Sequence, residues 1–118
     1  MKTFRTSTYS IPCAGLTGHR KVTFAVLADL HGLVFGQNHQ TLYKAIIDAN
    51  PDAILVAGDM VVHGSTETLE AAAGLFLRLC EIAPVFYVLG NHEYKMYLNP
   101  DTRNLYLNYE KLLTSAGI

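Results

Sequence analysis

Three apolar runs, each ending in a short polar block, constrain this chain more than any other feature. VTFAVLA (22–28) runs into Asp29-Leu30-His31, AILVA (53–57) into Gly58-Asp59, and PVFYVL (84–89) into Gly90-Asn91-His92-Glu93. Continuous runs rich in Val and other large apolar residues read as strands buried on both faces, the pattern of a parallel sheet. Polar groups that follow such strands collect along the carboxyl edge of the sheet, where open α/β folds bind ligands. Two carboxylates, two imidazoles and a carboxamide converging there outline a metal site.

The segments between the runs read as helices and turns. Strands are expected at Val22–Ala28, Ala53–Ala57 and Ala83–Leu89. After a loop from Gly32 to Asn38, a helix from about His39 to Ala49 places Leu42, Ala45, Ile46 and Ala49 on one face. Asn50-Pro51-Asp52 stops it, because proline cannot continue a helix. A second helix, from about Ser65 to Cys80, starts with Ser65 or Thr66 as its cap and has Glu67 and Glu70 in its first turns. Leu105 to Ala116 forms a last helix. Tyr9 and Ile11, apolar at period two, suggest an edge strand within Thr6–Leu16, and Gly18-His19-Arg20-Lys21 reads as a turn.

This order carries a topological consequence. Right-handed crossovers winding in one direction set their helices on one face of the sheet. Strands apolar at nearly every position nevertheless need cover on both faces. Gly117, following the last helix, normally leads into another element. The expectation is an α/β fold, mainly parallel sheet with helices on one face, whose second covering layer lies outside these residues. An uncovered sheet face of this kind favours a homodimer, a domain-swapped assembly or poor solubility.

Composition narrows the class further. A chain of 118 residues, half of them apolar and with a net charge of −1, suits one domain with a real core. No basic stripe points to nucleic acid, and no acidic tail points to disorder. Cys13 and Cys80 lie far apart, outside any Cys-x-x-Cys spacing, and read as two buried thiols in a reducing compartment. MKTFRTSTYS lacks the apolar core of a signal peptide. The apolar runs also fall far short of the ~20 residues a transmembrane helix needs. A cytoplasmic protein is expected.

Asp29-x-His31, Gly58-Asp59 and Gly90-Asn91-His92-Glu93 come in order, about thirty residues apart. Together they resemble the first three blocks of the calcineurin-like metallophosphoesterases. The longer strings ADLHG and VAGDMVV sharpen the likeness, which covers residues 20–118. The family's later blocks, a lone His and then a Gly-His-x-His pair, have no counterpart. The resemblance therefore implies the amino-terminal half of an αββα metallophosphoesterase sandwich, with its carboxy-terminal half absent.

The resemblance also implies a chemistry and assigns roles within it. The reaction is hydrolysis of a phosphate mono- or diester by water activated between two divalent metal ions. By family position Asp59 bridges the ions, Asp29 and His31 belong to the first, and Asn91 to the second. His92 corresponds to the histidine that contacts the phosphate and protonates the leaving group. The mixed oxygen and nitrogen donors favour Mn²⁺, Fe or Zn²⁺ over Ca²⁺. With the later blocks missing, residues 1–118 are expected to be inactive alone. The alternative is a non-hydrolytic scaffold or binding module on the same fold. The intact amino-terminal ligand positions argue against it, and a downstream His and Gly-His-x-His would exclude it.

Other polar and aromatic residues have plainer readings. Glu93 is expected to be a structural hydrogen-bond partner rather than a ligand. His63 reads as a loop residue, although it lies close enough to Asp59 in sequence to reach the site rim. His39 is expected to cap its helix or face solvent, and His19 to be solvated in a basic turn. Tyr94, Tyr97, Tyr106 and Tyr109 read as a segment packing on the domain rather than as pocket lining.

Overall fold

Strands β1 (Phe24–Leu27), β2 (Ala53–Val56) and β3 (Val85–Tyr87) pair side by side in that order, all parallel. The computed structural model describes residues 2–16, 18 and 20–118. In register, Leu27 lies opposite Val56 and Val56 opposite Tyr87, so the three strands end level. Backbone pairing continues past those ends, from Ala57 N to Leu27 O (2.8 Å) and from Val88 N to Val56 O (3.0 Å). Three polar blocks thus leave the sheet side by side.

Alternation along the strands decides what is buried. Ala25, Leu27, Ile54, Val56, Val85 and Tyr87 join the core beneath the helices. Phe24, Val26, Phe86 and Val88, on the other face, are 55%, 65%, 61% and 63% exposed. The described residues cover one face of the sheet only, and the other is an apolar patch of the kind that marks an interaction surface.

A single 3₁₀ turn (Gln37–His39) leads into α1 (Gln40–Ala49), which buries Leu42 and Ile46. The long α2 (Thr66–Leu79) starts where the Ser65 hydroxyl accepts from Thr68 N at 3.2 Å. That bond satisfies one of the free donors of the first turn. Its buried side runs from Leu69 through Phe76 to Leu79. Then come α3 (Asn91–Leu98) and α4 (Arg103–Ser115), packed on each other, with α4 also against α2. Among the described residues no helix is long and apolar enough to cross a membrane.

Several expectations need correction. No strand forms within Thr6–Leu16; Tyr9 and Ile11 are each 83% exposed, and the backbone there makes one turn bond, from Leu16 N to Cys13 O. Period-two apolar residues form a strand only against a paired neighbour, and among the described residues none pairs with this segment. The three strands are shorter than their apolar runs. α3 is a helix beyond those expected, and α4 begins two residues before Leu105. Cys13 and Cys80 are both free, as expected, but Cys13 is exposed and Cys80 only half-buried, so the expected burial of both thiols fails. His19, expected in a solvated turn, lies outside the described residues.

Between β3, α2 and α4 sits an aromatic cluster. Phe76 packs on Tyr87 at 4.7 Å between ring centroids, and Tyr109 lies 6.4 Å from Tyr87 and 6.2 Å from Tyr106. Burial pushes the Tyr87 and Tyr109 phenols above their ordinary range and Tyr106 up to about 12. Each folded value lies above the unfolded value of about 10, so this stability is full below pH ~10 and lost as pH rises through the folded values. The chain is therefore expected to unfold in alkali, in step with ionisation of these phenols. Ultraviolet difference absorbance followed alongside circular dichroism checks this. Ionisation of all tyrosines near pH ~10 with the helices intact would contradict it.

Candidate metal centre

Asp29 and His31 follow β1, Asp59 follows β2, and Gly90 after β3 leads into α3, whose first residue is Asn91. Ligand atoms of Asp29, His31 and Asp59 all lie within 4.8 Å of one another. All three residues hold left-handed backbone, with φ of 54°, 48° and 52°. Side-chain-bearing residues rarely adopt that region; each instance costs on the order of 1–3 kcal/mol, and such residues cluster at functional sites. Backbone hydrogen bonds between the segments that follow β1 and β2 hold Asp29 and His31 there. Asp29 N donates to Gly58 O (3.1 Å), His31 N to Asp59 O (3.0 Å) and Gly32 N to Met60 O (3.0 Å).

The two glycines at the strand ends permit the close approach. A Cβ on Gly58 would lie 2.5 Å from the Gly90 backbone, and Gly58 itself has φ 83°. A Cβ on Gly90 would overlap the amide and carboxylate of Asp59. Only bare backbone fits at this crossing.

Glu93 fastens the arrangement from below. It is fully buried; its Oε2 accepts from Asp59 N (3.0 Å) and its Oε1 from Met60 N (2.8 Å) and the Tyr87 hydroxyl (2.7 Å). It is thus a structural partner and stands apart from the cluster of ligand atoms. Asp59 Oδ1 accepts from His92 N at 2.8 Å. That bond, aided by the nearby His92 and His31 rings and opposed by partial desolvation, holds the Asp59 carboxyl below the usual carboxylate range. It is an anion at neutral pH.

The imidazoles sit around this anion. His31 Nε2 lies 3.6 Å from Asp29 Oδ1, beyond hydrogen-bond length. The rings of His31 and His92 meet edge to face at 5.0 Å. His92 Nδ1 accepts from His63 N at 3.1 Å, which puts the proton of the neutral ring on Nε2. His63 thus contributes its backbone to the site. No sequence signal marks that role, since any residue but proline carries an N–H.

The side chains of Asp29 and His31 are 68% and 42% exposed, so this cluster opens to solvent. His39 does not join it. It is buried at the start of α1, makes no capping bond, and among the described residues its Nδ1 has no partner. Burial, with Arg78 nearby, pushes its pKa down. The expectation that it caps or faces solvent fails, because the 3₁₀ turn tucks the ring under the helix. Of the tyrosines beyond Gly90, Tyr106 and Tyr109 pack in the core, whereas Tyr94 and Tyr97 stay open to solvent.

Two carboxylates and one imidazole suit a divalent transition ion, and three protein donors leave positions for water or substrate. These residues fit a metal. A search of curated proteins and one of solved structures returned no match. The family model for calcineurin-like phosphoesterases matches residues 22–117. That span contains all three strands, the strained strand-end residues and every candidate ligand, and by it the chain belongs to the calcineurin-like phosphoesterase family.

Proposed function

We propose that this chain serves hydrolysis of phosphate mono- or diesters at a centre of two divalent ions, Mn, Fe or Zn. The observation that carries the reading is the convergence of Asp29, His31 and Asp59, all in strained backbone, at the carboxyl edge of the sheet. Asp29, His31 and Asp59 hold the first ion; Asp59 and Asn91 face the second. Bound ions of this kind neutralise phosphoryl oxygens and lower the pKa of water.

The chain's own groups fit these roles. Asp59 gives one oxygen to the His92 amide and keeps its other oxygen and remaining lone pairs for cations. His92 presents Nε2–H as a donor to a phosphoryl oxygen. Protonating the leaving group requires a further ring proton on Nδ1, where the His63 N–H already points. The donor role is therefore the one that this geometry supports.

Ligand number sets the limit. Among the described residues the second position has two donors, too few for tight binding. We take residues 1–118 as the amino-terminal half of the catalytic domain, nearly inactive alone, whose bare sheet face receives a further layer. The free thiols suit a reducing, cytoplasmic setting.

Calorimetric titration with Mn²⁺ tests the proposal. One ion per chain is expected, with inorganic phosphate binding only once the ion is present. No ion uptake, or phosphate binding regardless of the ion, overturns the reading. Two tightly held ions per chain would contradict the assignment of ligands.

A further inference from the structure

We propose that Tyr94 and Tyr97 form an aromatic ledge beside the metal centre that takes a planar ring on the substrate. This assigns the substrate class as phosphoesters carrying an aryl group or nucleobase, and it rests on the phosphoesterase reading above.

Position comes first. Asn91 and Tyr94 are three residues apart on α3, so they share a face with Cβ atoms about 5–6 Å apart. Long helical side chains lean toward the amino terminus, which sets the Tyr94 ring over the turn that carries Asn91. An aromatic group joined to a phosphate held at the centre would meet that ring.

Order comes second. Tyr94 and Tyr97 are 53% and 40% exposed, yet their rings stack at 6.4 Å with 26° between planes. Tyr97 rests edge-on against buried Tyr106 at 5.7 Å. Arg103 Nε donates to Tyr97 O at 2.8 Å, and its guanidinium lies 5.4 Å from the Tyr97 ring. The pair is thus fixed in place while its outer surface stays free. Tyr106 and Tyr109, from the same stretch of sequence, are buried and available to nothing outside. Stacking of one more ring strengthens binding on the order of 2- to 10-fold.

The test is binding to the Zn²⁺-loaded chain, compared for inorganic phosphate, methylphosphonate, phenylphosphonate and adenosine 5′-monophosphate. Nuclear magnetic resonance of the tyrosine rings is followed in parallel. Phenylphosphonate is expected to bind on the order of 2- to 10-fold tighter than methylphosphonate and to shift the Tyr94 and Tyr97 ring signals. Tyr94→Ala should bring the two affinities together, and Tyr94→Phe, which keeps the ring, should restore the gap. A larger gain with the nucleotide identifies the nucleobase as the natural group; a gain confined to phenylphosphonate identifies a simple aryl ester. Equal affinity for the two phosphonates, or an unchanged gap in Tyr94→Ala, overturns the ledge while the phosphate site stands. Failure of phosphate itself to bind the loaded chain overturns both.

Discussion

Replacing Glu93 with alanine is expected to destabilise the fold by about 3–5 kcal/mol, the largest stability effect of any single side chain near the site. Its carboxylate is fully buried and accepts from two backbone amides and a phenol. Truncation leaves Asp59 N and Met60 N without acceptors, and each buried orphan costs about 1–3 kcal/mol. Tyr87 loses its strongest partner and keeps only the long contact from the Tyr109 hydroxyl, at 3.4 Å. The total stays below the simple sum because the desolvation cost of the buried carboxylate disappears with it. Glu93→Gln should fall between, since one oxygen remains but an amide NH₂ now faces a backbone donor. Denaturant unfolding measures both variants, and a loss below about 1 kcal/mol in Glu93→Ala would mean that Glu93 does not hold the Asp59 turn. The same substitution should weaken ion binding roughly 10–100-fold, the usual effect of losing a group that orients a ligand.

That carboxylate also explains what the sequence could convey. The strands were legible because VTFAVLA, AILVA and PVFYVL leave no polar face, and α1 and α2 because Leu42, Ile46 and the Leu69–Leu79 stripe recur at helical period. α3 was not legible, since its buried side is Glu93 and Met96 while Tyr94, Tyr97 and Leu98 face out. An inward glutamate and outward apolar residues invert the usual pattern, and tertiary contacts decide the matter. The polar blocks named the candidate ligands because each directly follows a strand. Nothing local announced the left-handed backbone of Asp29, His31 and Asp59, the approach of Gly58 to Gly90, or the bond from His63 to His92. These arise only when three strand ends, each distant in sequence, are brought level by the register.

Asp59→Asn should separate the fold from the metal. Asparagine keeps the size, tolerates left-handed backbone, and retains an oxygen for the His92 amide. Stability at neutral pH should therefore drop by only about 1 kcal/mol, the difference between a charged and a neutral hydrogen bond. The Asp59 pKa is depressed in the fold, so its contribution is present above the unfolded value of about 3.9 and is lost as pH falls through the folded one. The asparagine variant should lack that part of the acid-side decline. Ion binding should suffer far more. Asp59 supplies one of the two carboxylates of the cluster and is the one group we place against both ions. Its neutralisation should weaken Mn²⁺ binding by more than the ~10–100-fold that follows loss of an orienting partner. Calorimetric titration and thermal melting of the same sample read both effects. A variant that melts like the parent and binds Mn²⁺ equally well would remove Asp59 from the metal centre, and with it the bridge on which the two-ion proposal depends.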